Sequence, residues 1–175
     1  MYMEFSEVLN MKIRQATLDD IEDILSVIKE AQQRMRLAGM TQWQNNYPNH
    51  EIIKSDILNE AIFVLLVDRK IIGTMSVFSY DSVYDAIKGS WLNDNPYKVI
   101  HRIALSNDFL GKGMTETMIN FVFKHFNSKD IRIDTHPLNQ PMIKSLERQG
   151  FKYCGIVHVT TDTDTTRYAY HKHIE

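Results

Sequence analysis

Between Val99 and Phe126 a largely apolar strand-like run, a loop with two glycines one residue apart and an amphipathic helix follow one another without a linker. The helix shows one apolar stripe: Met114, Met118, Ile119, Val122, Phe123 and Phe126. A strand that feeds a helix this directly points to a layered α/β architecture. The junction also has a chemistry of its own. The first N–H groups of a helix have no intrahelical acceptor and carry partial positive charge. Glycines beside them, here Gly111 and Gly113, let the backbone approach an anion closely. Lys112 adds a full charge. The local reading is a cradle for a pyrophosphate; the competing reading is a glycine turn with no ligand. Two familiar cradles are excluded. A Walker A loop needs Ser or Thr after the lysine, and Gly113 stands there. A dinucleotide fingerprint needs a third glycine where Glu116 stands.

The remaining pattern fills in the sheet. Met11 opens a short strand, and Thr17 caps a helix with Asp19, Asp20 and Glu22 in its first turns. Ile21, Ile24, Leu25, Ile28, Ala31 and Met35 form its buried face, and Gly39 ends it. A second helix spans about 51–59. Residues 61–67 and 71–80 read as a hairpin, and 81–97 as an ordered, irregular loop. A fourth strand covers 99–105 and a fifth 131–135. A helix follows to Gln149, and residues 151–159 and 166–174 make a last hairpin across 160–165. The order predicts an α/β fold: a mixed, mainly antiparallel sheet of about seven strands flanked by about four helices. Residues 11–175 read as one domain, with 1–10 as an extension or tag-like segment.

Composition narrows the partners. The chain has 175 residues and a formal net charge of -2, so no basic surface advertises nucleic acid or an anionic membrane. Mean hydropathy is -0.31, and no apolar run approaches the ~20 residues of a membrane span. The single cysteine, Cys154, excludes an internal disulfide and reads as a buried, inert thiol. His158, His171 and His173 could be drawn together by the last hairpin, but nothing completes a metal set, so no metal is expected. A cytoplasmic location is expected, and the final strands make a homodimer an open expectation.

The stretch IALSNDFLGKGMTETMINFVF resembles the acetyl-CoA-binding segment of the GNAT superfamily of N-acetyltransferases. There a Gln/Arg-x-x-Gly-x-Gly/Ala loop joins the fourth strand to the third helix. Gly111 and Gly113 match, while Asp108 takes the Gln/Arg position. The resemblance continues at NQPMIKSLERQGF, where Asn139, Gly150 and Phe151 match, and in MKIRQATLDDIEDILSVI. QWQNNYP, VIHRIA, DTH and YCG together resemble a bacterial group of small GNAT proteins. The resemblance implies an acetyl-CoA-dependent N-acetyltransferase that acts on a primary amine of a small molecule or peptide.

It also implies a site. Leu110, Gly111, Lys112, Gly113, Met114 and Thr115 would hold the pyrophosphate. Ile103, Ala104, Leu105, Asn139 and Met142 would line the pantetheine arm, beside a bulge that splays the fourth strand from the fifth. Acetyl transfer needs a neutral amine, and a free alkylamine has a pKa of about 10, so a base must take its proton. His101 is the expected base, two residues before Ile103 and on the same face, with His136 second. A buried histidine bonded to backbone is the plain alternative. Asp134 would bind the amine or orient a histidine, or else pair with Arg102 or Arg132. Trp43, Tyr47 and Tyr97 would contact substrate, or else anchor their loops. The family's usual acid, a tyrosine, aligns with Leu146, which cannot donate a proton. That departure keeps a non-catalytic acyl-CoA-binding or regulatory module as the alternative.

Overall fold

The structure is a computed structural model and describes residues 10–175. The expected N-terminal extension lies almost wholly outside the described residues. Among the described residues eight strands and four α-helices follow one another: β1 (Met11–Gln15), α1 (Ile21–Leu37), α2 (His50–Leu58), β2 (Ile62–Val67), β3 (Lys70–Phe78), β4 (Lys88–Gly89), β5 (Lys98–Leu105), α3 (Met114–His125), β6 (Asp130–Thr135), α4 (Gln140–Arg148), β7 (Lys152–His158) and β8 (Thr166–His173). One sheet takes them in the order β1-β2-β3-β5-β6-β8-β7-β4. Every neighbouring pair is antiparallel except β5 and β6.

The strand β4 is the difference from the sequence reading, which left 81–97 irregular. It is only Lys88–Gly89, paired to Ile156–Gly155 of β7. Two residues cannot show a periodicity, so no pattern announced it. The approach there is very close. A Cβ on Gly89 would lie 2.0 Å from the Cys154 carbonyl oxygen, and one on Gly155 2.2 Å from that of Lys88.

The β2 run IFVLLV is apolar throughout because it is buried on both faces. Its side chains alternate between two cores. Phe63, Leu65 and Val67 face α3 and α4, among Met118, Ile119, Val122 and Leu146. Ile62 and Val64 face α1 and α2, among Ile24, Ile28, Ile53 and Ile57. A third cluster, Tyr84, Val99, Val157 and Ala169, fills the β4 end. Caps set the helix starts. Asn49 Oδ1 accepts from Ile52 N–H, and Asn139 Oδ1 from Met142 N–H. Asp20 takes both guanidinium arms of Arg14, at 2.7 and 2.8 Å. No helix among the described residues is long and apolar enough to cross a membrane.

Candidate active site

The site begins where the sheet stops being regular. β5 and β6 pair only at Lys98↔Ile131 and Val99↔Arg132. Beyond those pairs the strands part. On its other edge β5 bulges: Thr74 faces Ala104 and Ser76 faces His101, so Arg102 and Ile103 share Met75. Arg102 takes a left-handed φ of 51° to do so. The split opens a cleft of about 510 Å³. Its walls come from Ile100–Ile103 of β5, Ile133–Thr135 of β6, Asn139 and Met142 at α4, residues 80–83 after β3, the α1–α2 loop and the β7–β8 loop.

His101 stands in this cleft between two carboxylates. Its Nε2 lies 2.7 Å from Asp81 Oδ2, and its Nδ1 lies 3.7 Å from Asp134 Oδ2. The Tyr84 hydroxyl donates to that same Asp134 oxygen at 2.7 Å. Asp81 is itself fixed, because its Oδ1 accepts Val83 N–H at 2.9 Å and so caps the 3-10 helix Ser82–Ala86. The bond from His101 holds the Asp81 carboxyl below its usual pKa, with burial opposing. An ionised Asp81 accepts the Nε2 proton, and Nδ1 faces Asp134. Burial, and then the charge of Asp134, push the Tyr84 hydroxyl well above its usual value, so it remains a neutral donor.

Arg102 does not pair with Asp134. Its Nε and Nη2 hold Asp56 Oδ2 at 2.8 and 2.5 Å, and its Nη1 donates to the Tyr47 hydroxyl at 2.7 Å. Arg132 is also engaged elsewhere. It lies between the rings of Trp91 and Tyr97, 4.4 and 3.8 Å from their centroids. Tyr97 therefore packs behind the cleft rather than lining it, contrary to the expected substrate contact.

His136 also differs from its expected place. It is 3% exposed, and both ring nitrogens are taken. Nδ1 accepts Leu138 N–H at 3.1 Å, so Nε2 carries the proton and donates to Asp164 Oδ2 at 2.6 Å. That bond pulls the Asp164 carboxyl down in pKa. The residue ties the start of α4 to the β7–β8 loop and stays outside the cleft lining. Ala104 and Leu105 are buried in the two main cores, so only Ile103 of that expected trio presents a side chain to the cleft. Trp43 and Tyr47 do line it, with Asp134, Asn139 and Met142. Trp43 is also packed in the α1–α2 core, where it anchors its loop.

The glycine loop has the donor set an anion needs. Gly111 and Gly113 have left-handed φ values of 69° and 77°, and Gly113 caps α3. None of the N–H groups of Gly111, Lys112, Gly113, Met114, Thr115 and Glu116 donates to a backbone acceptor among the described residues. A Cβ on either glycine would meet nothing within 4 Å, so the requirement there is conformation and open approach. Met114 points into the core and can offer only backbone. Leu110 is exposed. These donors fit a pyrophosphate. Leu146 is fully buried against the sheet, and no tyrosine lines the α4 side of the cleft.

Sequence reading missed Asp81, Asp56 and the β7–β8 loop; it singled out Tyr84 only as an aromatic that forms an amine pocket or anchors its loop. Asp81 had a signal: Asp-Ser after a strand is a cap, and a cap implies a short helix. The histidines of β8 are engaged structurally. His171 and His173 both bond Asp130, at 2.8 and 3.0 Å. Among the described residues no group of three His, Cys, Asp or Glu is placed to hold a metal.

Comparison with known proteins agrees with this geometry. Residues 21–151 match the model of the acetyltransferase (GNAT) family. A GNAT-family acetyltransferase of Streptococcus agalactiae 2603 is 37% identical, and its crystal structure aligns with a TM-score of 0.87 over 94% of this chain and 96% of that one. The corresponding figures for a GNAT-family acetyltransferase of Listeria monocytogenes 4b F2365 are 20%, 0.70, 94% and 95%. For the PaiA N-acetyltransferase of Thermoplasma acidophilum, solved in complex with coenzyme A, they are 16%, 0.67, 94% and 99%. The last two show likeness of fold. No curated protein sequence gave a match. The split strands, the free N–H row at α3 and the match over most of its length make this chain a member of the GNAT acetyltransferase family.

Proposed function

We propose that this protein is an acetyl-CoA-dependent N-acetyltransferase that acetylates a primary amine in the cytoplasm. The observation that carries the reading is the row of free N–H groups from Gly111 to Glu116, at the end of a strand that has parted from its neighbour. Gly111, Lys112, Gly113, Met114 and Thr115 hold the pyrophosphate of the donor. Ile103, Asn139 and Met142 line the path of its arm.

His101 Nδ1 accepts the proton of the incoming amine. Asp81 fixes the tautomer, and Asp134 faces the imidazolium that results. The neutral amine nitrogen then bonds to the acetyl carbon and gives its second proton to water as the carbon–sulfur bond breaks, leaving the amide and a thiolate that takes a proton back from water. Leu146 supplies no proton to the sulfur. A thiol with a pKa of about 8.5 leaves readily near neutral pH, so water suffices as its proton source.

Calorimetric titration with acetyl-CoA tests the reading. The protein is expected to bind at micromolar affinity, and Gly113→Glu to abolish binding by setting a carboxylate in the cradle. Gly113→Asn tolerates the left-handed backbone and is expected to keep it. Absence of binding in the unaltered protein would refute the proposal.

A further inference from the structure

The charges that line the cleft are not balanced. Its lining carries Asp81, Asp134, Arg102 and Arg167 beside His101. Each arginine already has its own carboxylate outside the lining. Arg102 holds Asp56, and Arg167 holds Asp162 at 3.0 Å. Arg167 Nη1 also donates to the Asp164 and Thr166 carbonyls. The two acids have no such counterion. Asp134 receives only the neutral Tyr84 hydroxyl and faces His101, and Asp81 shares that same histidine. An acceptor therefore meets a negative field at the base, and no uncommitted lining cation with which to pair an anion of its own.

The walls limit size. The α1–α2 loop and the β7–β8 loop, both part of the lining, are bonded to each other across the cleft. Thr41 Oγ1 donates to Asp164 at 3.0 Å, Trp43 N–H to Asp162 at 3.2 Å, and Asn45 Nδ2 to Thr163 at 3.0 Å. An extended peptide advances about 3.3–3.6 Å per residue and needs an open groove to leave by. Here the two walls hold one another, and about 510 Å³ must accommodate the acceptor and the end of the donor arm. The surfaces left for the body of the acceptor include an apolar and aromatic set, Met35, Trp43, Tyr47 and Phe78, beside the uncharged polar groups of Gln42, Thr160 and Thr161.

We infer that the acceptor is a small amine with an apolar or aromatic body and no carboxylate or phosphate, in preference to a free amino acid or a polypeptide amine. The inference rests on the transferase reading. The ammonium enters toward Asp134 and gives its proton to His101. A carboxylate one carbon from that nitrogen would be placed against Asp134 and Asp81.

The test compares matched acceptors at saturating acetyl-CoA: phenethylamine, tyramine and isoamylamine against phenylalanine, tyrosine, leucine and short peptides beginning with them. Acetylated product is read by mass spectrometry and thiol release by colour. Each amine is expected to exceed its amino acid by about 100-fold or more in kcat/KM, as like-charge apposition costs, and to exceed its peptide because the bonded walls leave no exit for the chain. Asp134→Asn is expected to shrink the amine-over-amino-acid ratio at least about tenfold, since it removes one of the two opposing charges; the comparison in the unaltered protein stands whether or not that variant folds. Equal or faster turnover of an amino acid or peptide would overturn the inference and leave the transferase standing. Binding of acetyl-CoA with no panel member acetylated would also overturn it. Failure to bind acetyl-CoA would remove the transferase reading itself.

Discussion

Gly155→Ala probes the junction on which the surroundings of His101, the proposed base, depend. In the folded chain β4 meets β7 at two residue pairs, with Gly89 opposite Gly155. A Cβ at 155 would lie 2.2 Å from the Lys88 oxygen, where real Cβ contacts stop near 3.0 Å, so the strands must part by about 0.8 Å. The backbone at 155 has φ 144°, a conformation that suits glycine. Strain of this kind costs about 1–3 kcal/mol, and forcing apart a packed contact about 1–3 kcal/mol more. The edge strand can limit the total by detaching, which forfeits its ladder and the Ser90 N–H bond to Cys154, at about 1 kcal/mol per bond. The expected loss is about 2–4 kcal/mol, or roughly 5–15 °C in Tm for a chain of this size. Detachment loosens the segment that delivers Asp81 and Tyr84, so acetyl transfer falls too. It also frees Trp91, whose indole N–H bonds the Tyr84 carbonyl, and shifts its fluorescence to the red. Urea melts by fluorescence give the measurement. Gly39→Ala is the control: Gly39 has φ 74°, but a Cβ there meets nothing within 4 Å, so only about 1 kcal/mol is at stake. If Gly155→Ala proves no more destabilising than Gly39→Ala, the close approach is not what requires glycine there.

Two further outcomes follow from the titratable groups. Asp81→Asn keeps the shape and removes the charge that fixes the His101 tautomer, so kcat/KM should fall at least about tenfold with acetyl-CoA affinity unchanged; an identical pH–rate profile would count against it. Burial first, and Arg132 second, push the His171 imidazole below its usual value of 6.5, with Asp130 opposing. The unfolded chain then binds more protons below about pH 6.5, so the stability tied to His171 is complete above that pH and declines as pH falls through the folded value. Urea unfolding at pH 7.5 and 5.5 should show a loss at the lower pH that His171→Gln lacks; a gain at pH 5.5 would reverse the sign.

Apolar spacing made the helices and all the longer strands legible. The α3 stripe follows from Met114, Met118 and Ile119, and Met118 and Ile119 are completely buried. Gly111 and Gly113 marked the turn into α3, the proposed cradle, because left-handed backbone at a helix start is glycine's own conformation. The surroundings of His101 were not legible in the same way. Asp81 lies 20 positions from it, and Trp43 lies 119 positions from the Asp162 that holds its N–H. Polar partners at such separations leave no periodicity. His136 and Tyr97 are the sharpest cases. Residue type suggested chemistry for both, yet one joins two loops and the other packs on Arg132.

The features that make the site are departures from regular pairing, and each is stabilised by residues outside it. Arg102 accepts a left-handed backbone at the bulge, which costs a residue of its kind about 1–2 kcal/mol. Its guanidinium then reaches Asp56, which Ser76 Oγ also bonds at 2.8 Å, and the Tyr47 hydroxyl in the cleft wall. The bulge and the wall are thereby one network, and α2 supplies its anion. On the other side, the part of β6 beyond Arg132 has no β5 ladder to lean on. Tyr84 fills that end: its ring is fully buried and its hydroxyl meets Asp134. The 3-10 helix that carries Tyr84 is capped by Asp81, the residue that holds His101. Opening the sheet and orienting His101 are therefore done by the same few residues. Strengthening the β5–β6 ladder would close the cleft, so stability there is traded for access.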